Sequence, residues 1–255
     1  MSRVIYEKNP LIEVILQIQF PTNLIISSND PIEFQKQISS LFPNYQPEIQ
    51  SEQEITFNPI NSEVQSIYKN RNQKNHTFIT KEGFSKITLT NSSISISTLR
   101  YTKWEDFFEL FKQVADVFIK VYKPLYFERI GLRYIDAFKK KELGLEDTPW
   151  SELITQPWIG VLKDIQEKNV VLSSIDTEYK LDDNISRLKV HSGIGQLNNY
   201  SDSVFIIDSD FINISNIDIS NWIAVSEKLH DYSDDFYQRT ITDKLKKKLN
   251  PMPVE

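Results

Sequence analysis

Two pairs of oppositely charged residues are the features of this sequence best suited to chemistry. In segment 127–136, Arg129 and Arg133 stand on either side of Gly131. If the segment is a strand, these three residues share one face, because side chains alternate across a strand. Two guanidiniums beside a residue without a side chain would form a shallow pocket that suits a carboxylate or a phosphate. The structural alternative is that each arginine pairs with an acid on a neighbouring strand.

Asp208 and Asp210 are the acids expected to meet these arginines. They lie two residues apart in an apolar segment, so a strand would point both carboxylates the same way. Paired carboxylates can also hold a divalent cation or exchange protons with a substrate. A metal site needs further ligands, and no spacing motif in the sequence supplies them. We therefore expect pairing with arginine or exposure to solvent, and we predict no metal and no cofactor.

Histidine is scarce, and His230 is the histidine with the most suggestive neighbour. It falls on a predicted helix with Asp234 four residues later, a spacing at which the carboxylate could orient the imidazole. No Gly-x-Ser-x-Gly elbow, HExxH motif or P-loop accompanies it. A Ser-His-Asp arrangement stays open in three dimensions, but we assign no catalytic residue and expect His230 to have a structural or surface role.

The strands that would position these residues follow from alternating apolar side chains and from turn residues. Ile12, Val14, Leu16 and Ile18, for example, alternate with polar residues on one strand. The predicted strands are 11–20, 48–57, 63–69, 76–81, 84–90, 93–99, 125–138, 170–180, 185–191 and 203–213. We interpret Gly193 and Gly195 as a turn that follows a strand.

Helices are predicted where apolar residues recur every three or four positions. Asp30 is expected to cap a helix that has Pro31 at its first position and ends before Pro43. A helix over 103–122 has a wide apolar stripe, a short helix lies near 150–155, and Ser220 caps a long final helix over 220–249.

Each half of the chain therefore has the order strand, helix, several strands, long helix. We interpret this order as an internal duplication, with halves 1–123 and 124–255 that form one compact unit. The predicted fold class is α+β, a curved antiparallel sheet with the long helices on one side, as in a helix-grip or saddle-like fold.

Composition and charge narrow the class of protein. The chain has no cysteine, which excludes a disulfide scaffold and fits a reducing cytoplasm. Residues 1–123 hold 13 basic and 13 acidic residues, and residues 124–255 hold 16 and 22, so the second half carries the net charge of −6. This balance argues against nucleic acid as the main direct ligand. The N-terminus is not typical of a signal peptide, no segment is apolar enough to cross a membrane, and we expect a cytoplasmic protein.

Four segments together resemble one protein family. They are Asn-Pro-Leu-Ile-Glu at 9–13, Arg-Ile-Gly-Leu-Arg-Tyr-Ile-Asp at 129–136, Ile-Asp-Ser-Asp at 207–210, and Leu-His at 229–230 followed by Phe236, Ile241 and Thr242. Their order and spacing are similar to those of a sporadically distributed bacterial family of uncharacterised function, which has Asn more often where this chain has Asp136. The resemblance implies a bacterial or mobile-element origin, and it transfers no reaction or cofactor. Patchy distribution is typical of genes that move horizontally, including defence and toxin–antitoxin genes.

The leading hypothesis is a non-enzymatic protein-binding or accessory component of a horizontally transferred bacterial system, such as antiphage defence or a toxin–antitoxin module. Its partner would be a protein encoded nearby, bound through the sheet face and the acidic second half, and a homo-oligomer stays open. The candidate anion or partner site comprises Arg129, Arg133, Tyr134, Asp208, Asp210 and His230.

Two alternatives belong to other functional classes. In the first, the chain is a sensor module, and Arg129 and Arg133 clamp an anionic small molecule or nucleotide in a hollow between the sheet and a long helix. In the second, it is a metal-dependent hydrolase or nuclease built on Asp208, Asp210 and a nearby Glu or His.

Overall fold

Strands make up one layer of the protein. The computed structural model describes residues 4–50, 54–58, 63–67, 73–170, 172–197, 200 and 202–253. The strands within these residues are β1 Val4–Tyr6, β2 Leu11–Gln19, β3 Asn44–Gln50, β4 Glu54–Asn58, β5 Glu63–Ile67, β6 Gln73–Ile79, β7 Ser85–Leu89, β8 Ser93–Thr98, β9 Tyr126–Phe138, β10 Ser173–Lys180, β11 Ser186–Gly195, β12 Val204–Asp218 and β13 Pro251–Pro253.

Helices form the second layer. They are α1 Leu24–Ser28, α2 Ile32–Ile38, α3 Trp104–Tyr122, α4 Lys140–Leu143, α5 Gln156–Ile159, α6 Trp222–Thr240 and α7 Asp243–Leu249, with 3-10 turns at Trp150–Glu152, Gly160–Lys163, Glu167–Asn169 and Ile219–Asn221. The predicted α+β class is confirmed. No helix in the described part of the chain combines the length and the apolar character needed to cross a membrane.

Nine strands form one curved, unclosed antiparallel sheet with the order β10-β11-β12-β9-β2-β8-β7-β6-β3. β9 and β2 are neighbours at the centre of the sheet, and the strands on their two sides are arranged alike. Moving outward from β9, the sheet contains β12, β11 and β10; moving outward from β2, it contains β8, β7 and β6. β1 pairs with β13, so residues 4–6 lie beside residues 251–253. The division into two halves and the helix-grip likeness stay predictions.

One face of the sheet packs against α3 and α6. Phe20, at the end of β2, meets Phe118 of α3 with 4.7 Å between ring centroids, and Phe211 of β12 meets Phe236 of α6 at 5.8 Å. All four rings are buried, and burial of such a side chain contributes roughly 2 kcal/mol. We call this the helix side of the sheet and call the opposite surface the polar sheet face.

The long final helix of the prediction is two helices. Ile241 has extended backbone (φ −102°, ψ 143°), is buried, and forms an isolated β-bridge with Ile154. The side chain of Thr242 then caps α7 by accepting a hydrogen bond from the Leu245 backbone N–H. Periodicity alone missed the break, because the apolar stripe continues across it. Ser220 does not cap α6; it lies in the preceding 3-10 turn, where its backbone N–H donates to Asp218.

Other boundaries also differ from the prediction. The first helical residue after Asp30 is Ile32, with Pro31 at the cap position and no side-chain cap. Gly193 lies inside β11, where a Cβ would overlap the backbone of Ser173 on β10, so its pair with Gly195 is not a turn. Region 150–155 begins with a 3-10 turn, and α5 follows it. The predicted strand 48–57 overlaps β3 and β4; positions 51–53, 68–69 and 171 of the predicted strands lie outside the described residues.

Candidate functional site

The two arginines and the two aspartates of the prediction do meet on the polar sheet face. Arg133 binds Asp208 with both ends of its guanidinium, and its Nε lies 2.7 Å from Oδ1. Arg129 donates from Nη2 to Asp210 Oδ2 at 3.1 Å and from Nη1 to Gln17 Oε1 at 2.9 Å. Both guanidiniums reach diagonally across the two strands, because Arg133 stands opposite Asp210 and Arg129 stands opposite Ile214 in the strand register. The pairing predicted from the sequence is confirmed.

The shallow pocket expected between the two guanidiniums does not form, and this part of the prediction is wrong. A Cβ built on Gly131 would lie 2.7 Å from Arg129 Nη1. The guanidinium of Arg129 therefore occupies the space that the missing side chain leaves. Gly131 allows Arg129 to reach Asp210; it does not open a site for an external anion.

The electrostatics of the polar sheet face are those of an internally paired surface. The hydrogen bond with Asp208 raises the pKa of Arg133. Burial raises the pKa of Asp210 and outweighs the opposing effect of the two guanidiniums. No group of three or more His, Cys, Asp or Glu side chains in the described residues is arranged to hold a metal ion. The aspartates of the hydrolase hypothesis are thus held by arginine.

Tyr134 and His230 lie on the helix side, so the six predicted residues do not form one site. Tyr134 is on β9, one residue after Arg133, and its hydroxyl lies 2.9 Å from His230 Nδ1 on α6. The imidazole stacks on Trp104 of α3 with ring centroids 4.3 Å apart. Both His230 and Tyr134 are buried. The orientation of His230 by Asp234 stays a prediction.

These two residues border a cavity of about 100 Å³ on the helix side of the sheet. We call it the helix-side cavity. Its walls come from β1, from the segment that leads into α3, from β9 and β12, and from α6. The residues that line it are Val4, Ile5, Tyr6, Asn9, Leu11, Tyr101, Thr102, Lys103, Trp104, Glu105, Tyr134, Asp136, Ser209, His230, Ser233, Asp234, Phe236, Tyr237 and Gln238.

Asp136 is the most unusual residue of this cavity. It is 2% exposed, and its Oδ1 has no hydrogen-bond partner among the described residues. Burial raises the pKa of its carboxyl to about 8. On β2, the register shifts between Leu11, which pairs with Asp136, and Glu13. Such bulges bend a strand and are frequent beside functional sites.

Two more buried polar atoms of the cavity residues lack partners. The indole Nε1 of Trp104 and the hydroxyl of Tyr237 have no hydrogen-bond partner in the described part of the chain. A buried polar group without a partner costs about 1–3 kcal/mol. Native proteins carry few such groups. Three of them around one cavity, counting Asp136, make this the candidate functional site.

A second hollow, of about 710 Å³, lies near α4 and is lined in part by Lys140, Trp150 and Glu167. Four of its charged groups form two ion pairs, Lys140 with Glu167 and Lys141 with Asp202. Lys140 Nζ lies 2.7 Å from Glu167 Oε2 and 4.4 Å from the centroid of the Trp150 ring. Because these charges are already compensated, this hollow is the weaker candidate.

Two residues of the helix-side cavity were predicted from the sequence, and the three with unpartnered polar atoms were not. Sequence reasoning selected Tyr134 and His230, yet it treated Trp104 as a core residue and did not select Tyr237. The sequence does contain an indication for Asp136. It falls on the same alternate positions of the strand as Ile130, Leu132 and Tyr134, whose side chains face the core. An acid at such a position is either paired or functional.

Comparison with known proteins adds no assignment to this geometry. A scan against models of protein families and a search of curated proteins each found no match to the chain.

Proposed function

We propose that this protein is a sensor module that binds a small molecule in the helix-side cavity. The observation that carries the proposal is the set of three buried, unpartnered polar atoms, one each from Asp136, Trp104 and Tyr237, among the residues that line one cavity. A ligand that pairs with these atoms supplies hydrogen bonds that the described residues do not, and so offsets the cost of burying them. The site also lies on β9, α3 and α6, which are packed into the core and hold it in place.

The surroundings of His230 favour binding over catalysis. The hydroxyl of Ser233 donates to the His230 backbone oxygen at 2.7 Å. Ser233 Oγ also lies 3.4 Å from His230 Nδ1, but that nitrogen is closer to the Tyr134 hydroxyl, at 2.9 Å. The shorter contacts of both groups therefore lie outside a serine–histidine pair, in which the hydroxyl proton would pass to the imidazole. The Trp104 ring, stacked at an interplanar angle of 11°, fixes the plane of the imidazole. We infer that His230 positions Tyr134 at the cavity wall.

Binding of small probes to the full chain tests this function. The probes are n-butylammonium, n-butanol and butyrate, which have similar size and different charge, observed by saturation-transfer NMR. The matched variant is Ser209→Leu, which adds an apolar side chain at the wall of the cavity. We expect at least one probe to bind the native chain and to lose binding in Ser209→Leu. Absence of binding by all three probes, or binding unaffected in a folded Ser209→Leu, would overturn the proposal.

The wider role predicted from the sequence remains a second proposal. We propose that the sensor acts as an accessory component of a horizontally transferred bacterial system, in the cytoplasm, with a protein partner encoded nearby. The paired charges of the polar sheet face offer this partner a polar surface. Affinity purification of the tagged chain from its native host tests the idea: a neighbouring gene product should co-purify, and its absence with and without an added probe would contradict it.

A further inference from the structure

We infer that the ligand of the helix-side cavity carries a protonated amino group, which Asp136 binds at the centre of an aromatic enclosure. This inference rests on the proposed function and adds the chemical class of the ligand. It reverses the charge expected from the sequence, where two arginines suggested an anion.

The ionisable residues around the cavity favour a cation. Three acids line it: Asp136, Glu105 and Asp234. The basic side chains among the lining residues are Lys103 and His230. The titratable groups that line it come from four places: Tyr6 from β1; Tyr101, Lys103 and Glu105 from the start of α3 and the segment before it; Tyr134 and Asp136 from β9; and His230, Asp234 and Tyr237 from α6. The lining residues from β2 and β12, Leu11 and Ser209, do not titrate. Acidic side chains outnumber basic ones around the cavity, so its charge suits a cation better than an anion.

Aromatic side chains supply the second requirement for binding an ammonium group. Six of them line the cavity: Tyr6, Tyr101, Trp104, Tyr134, Phe236 and Tyr237. Aromatic rings attract cations through their negative faces, and the attraction grows when the cation leaves water. Trp104 is stacked on Phe108 and on His230, so it contributes its edge, and the rings of the tyrosines and of Phe236 line the rest of the cavity.

The buried carboxyl of Asp136 distinguishes an amine from a quaternary ammonium. Its Oδ1 lacks a hydrogen-bond partner among the described residues, so it can accept an N–H from the ligand. An N–H donor with a positive charge forms the stronger, charge-assisted bond. The cavity, at about 100 Å³, has the volume of roughly three water molecules. We therefore expect it to hold the amino group and a short alkyl segment.

Calorimetric titration of the full chain with n-butylammonium, n-butanol and butyrate tests the charge of the ligand. We expect n-butylammonium to bind, and to bind about tenfold or more tightly than the other two probes. Asp136→Asn should reduce this affinity about tenfold or more. The control Asp176→Asn removes one negative charge from β10, outside the cavity, and should leave the affinity unchanged.

The pH dependence gives an independent reading. Because the ammonium pairs with the ionised carboxylate, whose pKa without ligand is about 8, affinity should rise about tenfold per pH unit below pH 7.5 and level off above pH 8. The rise should vanish in Asp136→Asn; a rise that persists there overturns the inference. Preferred binding of n-butanol or butyrate also overturns it while leaving the sensor proposal intact, whereas failure of all three probes removes both.

Discussion

The guanidinium of Arg129 lies over Gly131, two residues along the same strand, where a Cβ would come within 2.7 Å of its Nη1. An alanine at this position must displace the guanidinium from Gln17 and Asp210. Alanine in place of glycine otherwise stabilises a strand by about 0.5–1 kcal/mol. We therefore expect Gly131→Ala to destabilise the native chain by about 1 kcal/mol, measured by urea unfolding, and to stabilise an Arg129→Ala background.

The coupling between the two substitutions is the decisive quantity. A double-mutant cycle should give an interaction free energy of about 1–2 kcal/mol. If the two effects are additive, the guanidinium does not depend on the missing side chain of Gly131.

The ion pair of Arg133 and Asp208 should matter to stability but less than a fully buried pair. The side chains are 44% and 19% exposed, respectively. Removal of one partner from a buried pair costs about 3–5 kcal/mol, and exposed pairs contribute about 0–1 kcal/mol. We expect Arg133→Met and Asp208→Leu each to lower the free energy of unfolding by about 1–2 kcal/mol. The double variant should lose less than the sum, and a strictly additive loss would contradict a direct pair.

Asp136 should make the stability of the protein depend on pH in a stated direction. Its pKa is about 8 in the native state, against an ordinary value of 3.8. Between these values the unfolded chain ionises while the native chain keeps the proton. The contribution of Asp136 to stability is therefore full below about pH 4 and is lost as pH rises to about 8, by about 1.4 kcal/mol per pH unit.

Asp136→Asn is the matched comparison, because it keeps the size and removes the titration. The difference in unfolding free energy between the two chains, from urea titrations at pH 5 to pH 8, should shift steadily in favour of the variant. A constant difference across this range would show that the carboxyl is not desolvated as its burial indicates.

The break between α6 and α7 is held by a threonine cap. Thr242 Oγ1 donates to the Glu152 backbone oxygen at 2.7 Å and accepts from the Leu245 N–H at 3.4 Å. Thr242→Ala should lower the free energy of unfolding by about 1 kcal/mol. Thr242→Ser should lower it by less, because serine also caps a helix. The chemical denaturation midpoints of the three chains give the result, and equal midpoints for Ala and Ser would refute the cap.

Local periodicity accounts for most of the fold that could be predicted. The stripe of α3 and the alternation in β2 and β9 are repeated over many residues, so their elements were located within a residue or two. Features set by tertiary contacts were missed. Ile241 is extended because it bridges to Ile154, a residue far away in sequence, and Gly193 lies in a strand because β10 packs closely there.

The candidate site was predictable only in part for the same reason. Arg129, Arg133, Asp208 and Asp210 could be paired from the sequence, since opposite charges on adjacent strands satisfy each other. The helix-side cavity is lined by residues that are far apart in the sequence, among them Tyr6, Trp104, Asp136 and Tyr237. No spacing rule connects such positions, and the orphaned atoms become visible only once the packing is known.

The central seam between β2 and β9 has a consequence for synthesis on the ribosome. Leu16 of β2 pairs with Leu132 of β9. One edge of β2 therefore has no strand to pair with until β9 has been synthesised. During that interval the nascent chain exposes an apolar ribbon with unused hydrogen-bonding groups, a state prone to wrong association. Translation speed through residues 124–138 should therefore influence how much of the protein reaches its native state.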